Sequence, residues 1–155
     1  MNSETRITNL IHKLRNHGYR VTPQRVAIIN TLVCSDSHPS VEQVYEQVRI
    51  NFPMTSLATV YKTVAMLKEV GEIQELSFGG ESSRYDATTP HSHPHLICTK
   101  CHRILDPDVH LFQDLSNEIA EKYGFKITSE RMDFFGICPE CQQARFTSAS
   151  RRIEV

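Results

Sequence analysis

Residues 91–106 read HSHPHLICTKCHRILD, a stretch in which two kinds of metal ligand interleave. Cys98 and Cys101 form a C-x-x-C pair, and Cys138 and Cys141 form a second pair further along the chain. Four thiolates arranged in two such pairs are the ligand set of a tetrahedral structural zinc site. The stretch therefore predicts a small domain that a zinc ion holds together.

A C-x-x-C pair also occurs in thioredoxin-like redox proteins, and residues 98–102 read CTKCH, the attachment motif of c-type haem. Haem attachment needs an exported protein and leaves the second pair unexplained, so zinc is the interpretation that uses all four cysteines. Cys34 is the fifth cysteine. It lies at the end of a predicted helix, after two apolar residues, and we expect it to be a buried structural thiol.

The second ligand set consists of nitrogen and oxygen donors. His91, His93 and His95 alternate in the sequence, and side chains two residues apart on a strand lie on the same face. With Asp106 they form a donor set that suits iron, manganese or zinc. A lone histidine is more often a solvated or hydrogen-bonded side chain, so the prediction depends on the cluster.

The composition restricts the class of protein. The chain has 155 residues, a net charge of -1 and no apolar run near twenty residues, which indicates a soluble protein without a membrane span. The first residues, MNSETRITNLIHKLRNHG, are amphipathic and mixed in charge, unlike a secretory signal. C-x-x-C pairing is typical of metal binding in a reducing compartment, and we therefore expect a cytoplasmic protein.

Residues 1–85 have the pattern of a winged helix-turn-helix domain, with a plain helical bundle as the alternative. Apolar periodicity and capping residues predict four short helices, which begin near Thr5, Thr22, Ser40 and Ser56. Two strand-like runs around a Gly-Gly pair predict the wing.

The helix from Ser56 to about Lys68 is the recognition helix in this arrangement. We expect it to expose four polar side chains, Thr59, Tyr61, Lys62 and Thr63. Arg20 is expected near the DNA backbone or a narrow minor groove.

The rest of the chain divides into three parts. Residues 86–94 are rich in Thr, Pro and His and are interpreted as a hinge. Residues 95–145 have an α/β pattern, and residues 146–155 predict a flexible tail. The predicted fold class is therefore α+β. The elements expected in the α/β part are strands at 95–98, 103–105, 125–128 and 131–137, and a helix at 108–123 with Val109, Leu115 and Ile119 inward.

Five motifs lie along the chain: GYRVTPQR at 18–25, HPS at 38–40, SLATVYKTVAMLKEVG at 56–71, HPHLICTKC at 93–101 and GICPEC at 136–141. Through these motifs the sequence resembles the ferric uptake regulator (Fur) family over nearly its whole length. The resemblance implies a homodimeric, metal-dependent transcription factor, and not an enzyme. An N-terminal winged helix would bind a double-stranded DNA operator, and the C-terminal domain would form the dimer.

The resemblance also implies which residues bind metal. The structural zinc of the family falls on Cys98, Cys101, Cys138 and Cys141. The regulatory iron or manganese falls on His38, Asp86, His93, His95 and Asp106. His91 lies just outside the matching ligands and is expected to face solvent.

Two carboxylates indicate the branch of the family. Iron-sensing members usually have Glu at the positions of Asp86 and Asp106, whereas the peroxide-responsive repressors have Asp at both, as here. Ferrous iron among nitrogen and oxygen donors can react with hydrogen peroxide, and the oxidant formed attacks an adjacent imidazole. The resemblance thus implies a repressor in which His38 and His93 are oxidised. An iron-sensing or other metal-sensing repressor is the alternative.

The sequence departs from the family pattern at three positions. His102 follows Cys101 where the family commonly has Gly, which puts the turn of the first zinc knuckle in question. Pro94 and Glu130 stand where iron-sensing members often have an Asp and a His of an additional metal site. The additional site therefore lacks two of its usual ligands, and the resemblance leaves open whether it exists.

A zinc hydrolase that uses the His/Asp cluster is the alternative from a different class. It would need an open catalytic site with a general base, and the chain contains no H-E-x-x-H motif. Metal-dependent DNA binding would favour the regulator, and turnover without any dependence on DNA would favour the hydrolase.

Overall fold

The computed structural model describes residues 2–35, 37–77, 82–88, 93–107, 115–128 and 130–143. The chain divides into two compact units, Met1–Pro90 and His91–Val155. Within the described ranges, no helix is both long enough and apolar enough to cross a membrane.

Helices make up most of the first unit, and their ends follow from local signals. Thr22, Ser40 and Ser56 each accept a hydrogen bond from a backbone N–H of the first turn, as predicted. Gly71, with φ of 69°, supplies the left-handed conformation that ends the fourth helix. The helices are α1 (Ser3–Asn16), α2 (Pro23–Val33), α3 (Val41–Asn51) and α4 (Leu57–Glu69).

The wing is an antiparallel pair formed by β1 (Gln74–Leu76) and β2 (Arg84–Asp86), with Glu75 opposite Tyr85. The Gly-Gly pair of the predicted wing, Gly79 and Gly80, lies outside the described residues. Tyr85 and Ala87 belong to the apolar core that the four helices share, so β2 is held against the helices. This arrangement confirms the winged helix-turn-helix fold. Side chains with no exposed surface come from every helix, among them Leu14, Ile29, Val44 and Leu67.

The second unit contains a three-stranded sheet in the order β4-β3-β5. β3 runs antiparallel to β4 and parallel to β5, with His95 opposite Asp133. A helix precedes β5 in the chain. The elements are β3 (Pro94–Cys98), β4 (Ile104–Leu105), α5 (Leu115–Tyr123) and β5 (Met132–Gly136).

Two predictions for the second unit are wrong in the single chain. Leu115 and Ile119 of α5 are 42% and 40% exposed, not inward, while Val109 lies outside the described residues. Residues 125–128 form no strand, because no strand among the described residues pairs with them, and Phe125 is 69% exposed. The predicted tail, 146–155, also lies outside the described residues.

A buried charge cluster that the sequence did not reveal ties α1 to the end of the helical bundle. The guanidinium of Arg6, which is 3% exposed, forms an ion pair with Glu72 and donates to the backbone carbonyl of Ala87 at 3.1 Å. Lys13 forms a second ion pair with Glu72 from the rim. Burial raises the pKa of Glu72, but the hydrogen bonds from Lys13 and Arg6 outweigh it and hold that pKa below its ordinary value.

Glu72→Gln should lower the free energy of unfolding by about 3 kcal/mol, because it leaves the buried Arg6 charge uncompensated. Lys13→Ala is the matched control and should cost less than about 1 kcal/mol, since Lys13 is 41% exposed. Since the folded-state pKa of Glu72 is depressed, its contribution is present above the unfolded pKa and is lost as the pH falls through the folded value. Urea unfolding at several pH values measures both effects, and equal losses for the two variants would contradict the assignment.

Candidate metal centres

The cysteine cluster lies entirely within the second unit. One sulfur from each of Cys98, Cys101, Cys138 and Cys141 lies within 4.8 Å of the other three. The pairing of β3 with β5 brings the two C-x-x-C pairs together, because it sets Cys98 opposite the strand end that precedes Cys138. Four sulfurs at this spacing can surround one zinc ion.

The turn of the first zinc knuckle is intact despite the departure at His102. The Cys98 N–H donates to the carbonyl of Arg103, and the His102 N–H donates to the carbonyl of Cys98, both at 2.9 Å. His102 has φ of 57°, in the left-handed region that favours glycine. The histidine therefore retains the turn of a glycine at the cost of some backbone strain.

The thiols of the cluster differ in acidity in a way that favours a bound cation. Backbone N–H groups, above all that of Cys138, lower the pKa of Cys98 to about 5. Hydrogen bonds to Cys138 and Cys101 raise the pKa of Cys141 to about 12. Cys98 therefore forms a thiolate readily, whereas deprotonation of Cys141 is unfavourable. A divalent cation among the sulfurs stabilises the thiolates and makes that deprotonation favourable. The donor set fits a structural zinc ion.

The first unit holds two of the predicted regulatory ligands, His38 and Asp86, and we call this pair the first half-site. His38 Nε2 lies 3.8 Å from Asp86 Oδ1, and the two residues are 2% and 1% exposed. The backbone N–H and the hydroxyl of Thr88 donate to Asp86 Oδ1 at 2.8 Å and 2.5 Å. These bonds orient the carboxylate toward the imidazole.

The first half-site is assembled by hydrogen bonds between β2 and the segment 38–40. His38 has φ of 49°, which is uncommon for a residue other than glycine. Arg84 donates to the carbonyl of His38 at 3.3 Å, and the Tyr85 N–H donates to the carbonyl of Pro39 at 3.1 Å. Because β2 ends at Asp86, the same strand that fixes this segment also places the carboxylate beside the imidazole.

The second unit holds His93, His95 and Asp106, which we call the second half-site. The two imidazole centroids lie 4.5 Å apart, which confirms that the alternating histidines share a face. Asp106 lies 3.5 Å from His93 Nε2 and 3.8 Å from His95 Nε2. The antiparallel pairing of β3 with β4 places it there. His91 lies outside the described residues.

Asp133 is a further member of this site that the sequence did not reveal. Its Oδ1 lies 3.4 Å from His95 Nδ1, and Arg131 forms an ion pair with its other oxygen. A carboxylate near one imidazole nitrogen fixes the tautomer and leaves the other nitrogen for a metal. The available signal was a lone acidic residue in an otherwise apolar strand, MDFFG.

The predicted DNA-binding residues differ in exposure. Tyr61 is 48% exposed and Lys62 is exposed on α4, and Arg20 is exposed between α1 and α2. Thr59 is half-buried, and its hydroxyl lies 2.9 Å from that of Ser56.

Two predictions of burial are wrong in the first unit. Thr63, expected on the exposed face of α4, is fully buried and donates to the carbonyl of Thr59 at 2.7 Å, because it lies one turn from that carbonyl on the core side. Cys34, expected to be buried, is exposed because it caps the end of α2.

Comparison with known proteins gives consistent matches along the chain. A model of the ferric uptake regulator family matches residues 16–135. The peroxide-responsive repressor PerR of Staphylococcus saprophyticus is 37% identical over 142 residues, which cover 90% of this chain and 93% of that protein.

Solved structures agree with this match. The Fur protein of Helicobacter pylori, described as having three functional metal binding sites, is 27% identical with a TM-score of 0.75, and the match covers 92% of this chain and 95% of that one. PerR from Streptococcus pyogenes, described in terms of peroxide sensing and gene regulation, is 36% identical with a TM-score of 0.51, covering 88% and 92%.

Replacing Cys98 or Cys141 by Ser should abolish tight zinc binding and unfold the second unit. Binding of structural zinc is folding free energy, about 10–16 kcal/mol in zinc-finger peptides. Elemental analysis after mild chelation, together with thermal unfolding, measures the outcome. Cys34→Ser is the control and should keep one zinc ion per chain. Four chelator-indifferent free thiols in a stably folded protein would contradict the assignment.

Proposed function

The chain belongs to the ferric uptake regulator family, and from this premise we propose that it is a metal-dependent transcriptional repressor that senses hydrogen peroxide. The observation that carries the peroxide assignment is the pair of aspartates, Asp86 in the first half-site and Asp106 in the second, where iron-sensing relatives usually have glutamates. The similarity to a peroxide-responsive repressor over most of both chains supports it. The protein would act on a DNA operator in the cytoplasm.

DNA binding is assigned to the first unit and dimerisation to the second. The exposed Tyr61 and Lys62 on α4 are available for the major groove, and Arg20 for the backbone or minor groove. In this assignment residues 1–85 are the winged-helix domain, and residues 86–94 are the hinge.

An apolar face on the sheet of the second unit supports the homodimer. Leu96 pairs with both Leu105 and Phe134, so the three side chains share one face. They are 44%, 52% and 46% exposed. Contiguous exposed apolar surface of this kind is typical of an interface, and a second copy of the chain would cover it. Residues 125–128, with Phe125 and Ile127 exposed, would then gain a pairing partner.

We assign the regulatory ion to both half-sites together. His38 and Asp86 alone provide too few donors for iron or manganese. His93, His95 and Asp106 alone are a two-histidine, one-carboxylate set that can hold ferrous iron with open positions, and the family resemblance adds His38 and Asp86 as further nitrogen and oxygen ligands. An ion bound by ligands from both units would link them, and in the dimer would set the spacing of the two recognition helices for successive major-groove faces, about 34 Å apart.

Peroxide would act on the ligands themselves. Ferrous iron held by these ligands would supply the chemistry that breaks the O–O bond of hydrogen peroxide. One peroxide oxygen is added to an imidazole carbon of His38 or His93 and the other leaves as water, a two-electron oxidation of the ring. The oxidised imidazole is a poorer ligand, so the link between the half-sites is lost and the operator is released.

An iron-sensing repressor is the second candidate function. The same donor set would bind iron reversibly, and DNA would be released when iron is scarce and not when peroxide is present. The length of the carboxylate side chains distinguishes the two candidate functions. Glutamate has one methylene more than aspartate, which would shift the oxygen that binds the ion.

Lys62→Ala and Arg20→Ala should each weaken DNA binding and reduce the slope of log affinity against log salt by about one for each lost phosphate contact. Lys122→Ala is the matched control, because it removes the same charge from α5 of the second unit and should leave the slope unchanged. Fluorescence anisotropy with a labelled duplex at several salt concentrations measures the slopes. Normal binding by both variants would mean that the recognition surface is placed wrongly.

The Fe(II)-loaded protein should gain one oxygen on His38 or His93 with stoichiometric peroxide and release DNA, whereas the Mn(II)-loaded protein should do neither. Asp106→Glu should keep metal binding and blunt the response. Mass spectrometry of tryptic peptides and a DNA-binding assay on the same samples give the result.

Two outcomes of this experiment would change the assignment. Unmodified histidine peptides with DNA still bound would favour the iron-sensing repressor. Oxidation of Cys98 or Cys101 that tracks DNA release would make the zinc cluster the sensor.

A further inference from the structure

One hydrogen bond joins the recognition helix, α4, to α3, the helix that follows His38 in the chain. The hydroxyl of Tyr61 on α4 donates to Glu42 Oε1 on α3 at 2.7 Å. Both side chains are exposed, so the stability of the fold does not require the bond. This hydrogen bond is also the main reason why the pKa of Glu42 is lowered and that of Tyr61 is raised.

The first turn of α3, which carries Glu42, is held in place at both ends. Ser40 and Gln43 form a reciprocal capping box. Gln43 Oε1 also accepts a hydrogen bond from Arg84 at 2.8 Å, and the same guanidinium nitrogen donates to the carbonyl of His38. Glu42 therefore stands in a turn that is fixed to β2 and to the backbone of a proposed metal ligand.

We propose that Glu42 is a positioning residue that acts through Tyr61 and determines how strongly the protein discriminates its operator from other DNA. The inference deepens the proposed function and depends on it. Glu42 holds the phenol in one orientation on the exposed face of α4. This orientation depends on the position of the segment that carries His38.

The direction of the hydrogen bond determines what Tyr61 can recognise. A phenol has a single hydrogen to donate, and here Glu42 accepts it. Phosphate oxygens are acceptors only, so Tyr61 cannot donate to the DNA backbone while this bond is present. Its oxygen can accept from a base amino group, and its ring can contact an apolar base edge. Tyr61 in this state contributes to sequence discrimination and not to general affinity.

The charge of Glu42 has a separate effect that the experiment must remove. A carboxylate close to DNA is repelled by phosphates of any sequence, so its loss raises the affinity for every duplex. The ratio of affinities for two duplexes cancels this contribution, and that ratio is the quantity to measure.

The test is a double-mutant cycle with Mn(II)-loaded full-length protein. The probes are the duplex that the wild-type protein enriches from a randomised library and a scrambled duplex of the same composition. Glu42→Ala and Tyr61→Phe should each reduce the ratio of the two affinities by about tenfold, which is the usual effect of losing one specific base contact. In the double variant the reduction should be no larger than in Tyr61→Phe, because both changes remove the same interaction.

Two further variants separate this role from charge and from helix stability. Glu46→Ala removes the same charge one turn further along α3, where the side chain is 65% exposed and pairs with Arg49. It should leave the ratio unchanged. Glu42→Gln keeps an acceptor for Tyr61 and should retain most of the ratio. Mn(II) affinity should be the same in all the variants.

The outcomes distinguish this proposal from the proposed function. An unchanged ratio in Glu42→Ala, independent effects that multiply in the double variant, or an equal reduction in Glu46→Ala would each overturn the positioning role and leave the repressor assignment intact. If the wild-type protein enriches no duplex with Mn(II), the proposed function fails and the positioning role fails with it.

Discussion

The zinc cluster and the position of Asp133 beside the second half-site both depend on the register in which β3 pairs with β5. In this register His95 lies opposite Asp133 and Cys98 lies opposite Gly136, and a shift of one residue would turn the side chains to the other face. In the described part of the second unit little apolar packing supports this register, because no residue of α5 is buried and one face of the sheet is exposed. Zinc bound across both strands would lock the register and with it the position of the imidazole.

The first unit was predictable from the sequence because its signals are local. A cap such as Ser40 is recognised from a partner three residues away, and Gly71 is recognised from its own backbone conformation. Arg6 was not predictable, because its carboxylate partner lies 66 residues away and an arginine on an amphipathic helix is ordinarily solvated. The strand expected at 125–128 failed for a related reason, since its pattern indicates pairing but not whether the partner belongs to the same chain.

The same difference between local and long-range signals applies to the candidate sites. The cysteine spacing and the alternating histidines define their ligand sets within short stretches of sequence. His38 and Asp86, in contrast, could be joined only through the family resemblance, and the structure supplies the physical reason in the hydrogen bonds between β2 and the segment 38–40. Asp133 was not predicted because the role of a carboxylate in a strand depends on the residue opposite it. Only the register of the paired strands identifies that residue.

The burial of His38 explains how chemistry at one imidazole can reach the recognition helix. Its ring is packed, with 2% of the residue exposed, so an added oxygen introduces both volume and an uncompensated polar atom. If His38 is oxidised, the segment 38–40 must move or Asp86 must be displaced. Ser40 is also the N-cap of α3, so a movement there shifts the turn that carries Glu42, the partner of Tyr61. Loss of a ligand and loss of DNA discrimination would then have one cause within the first unit.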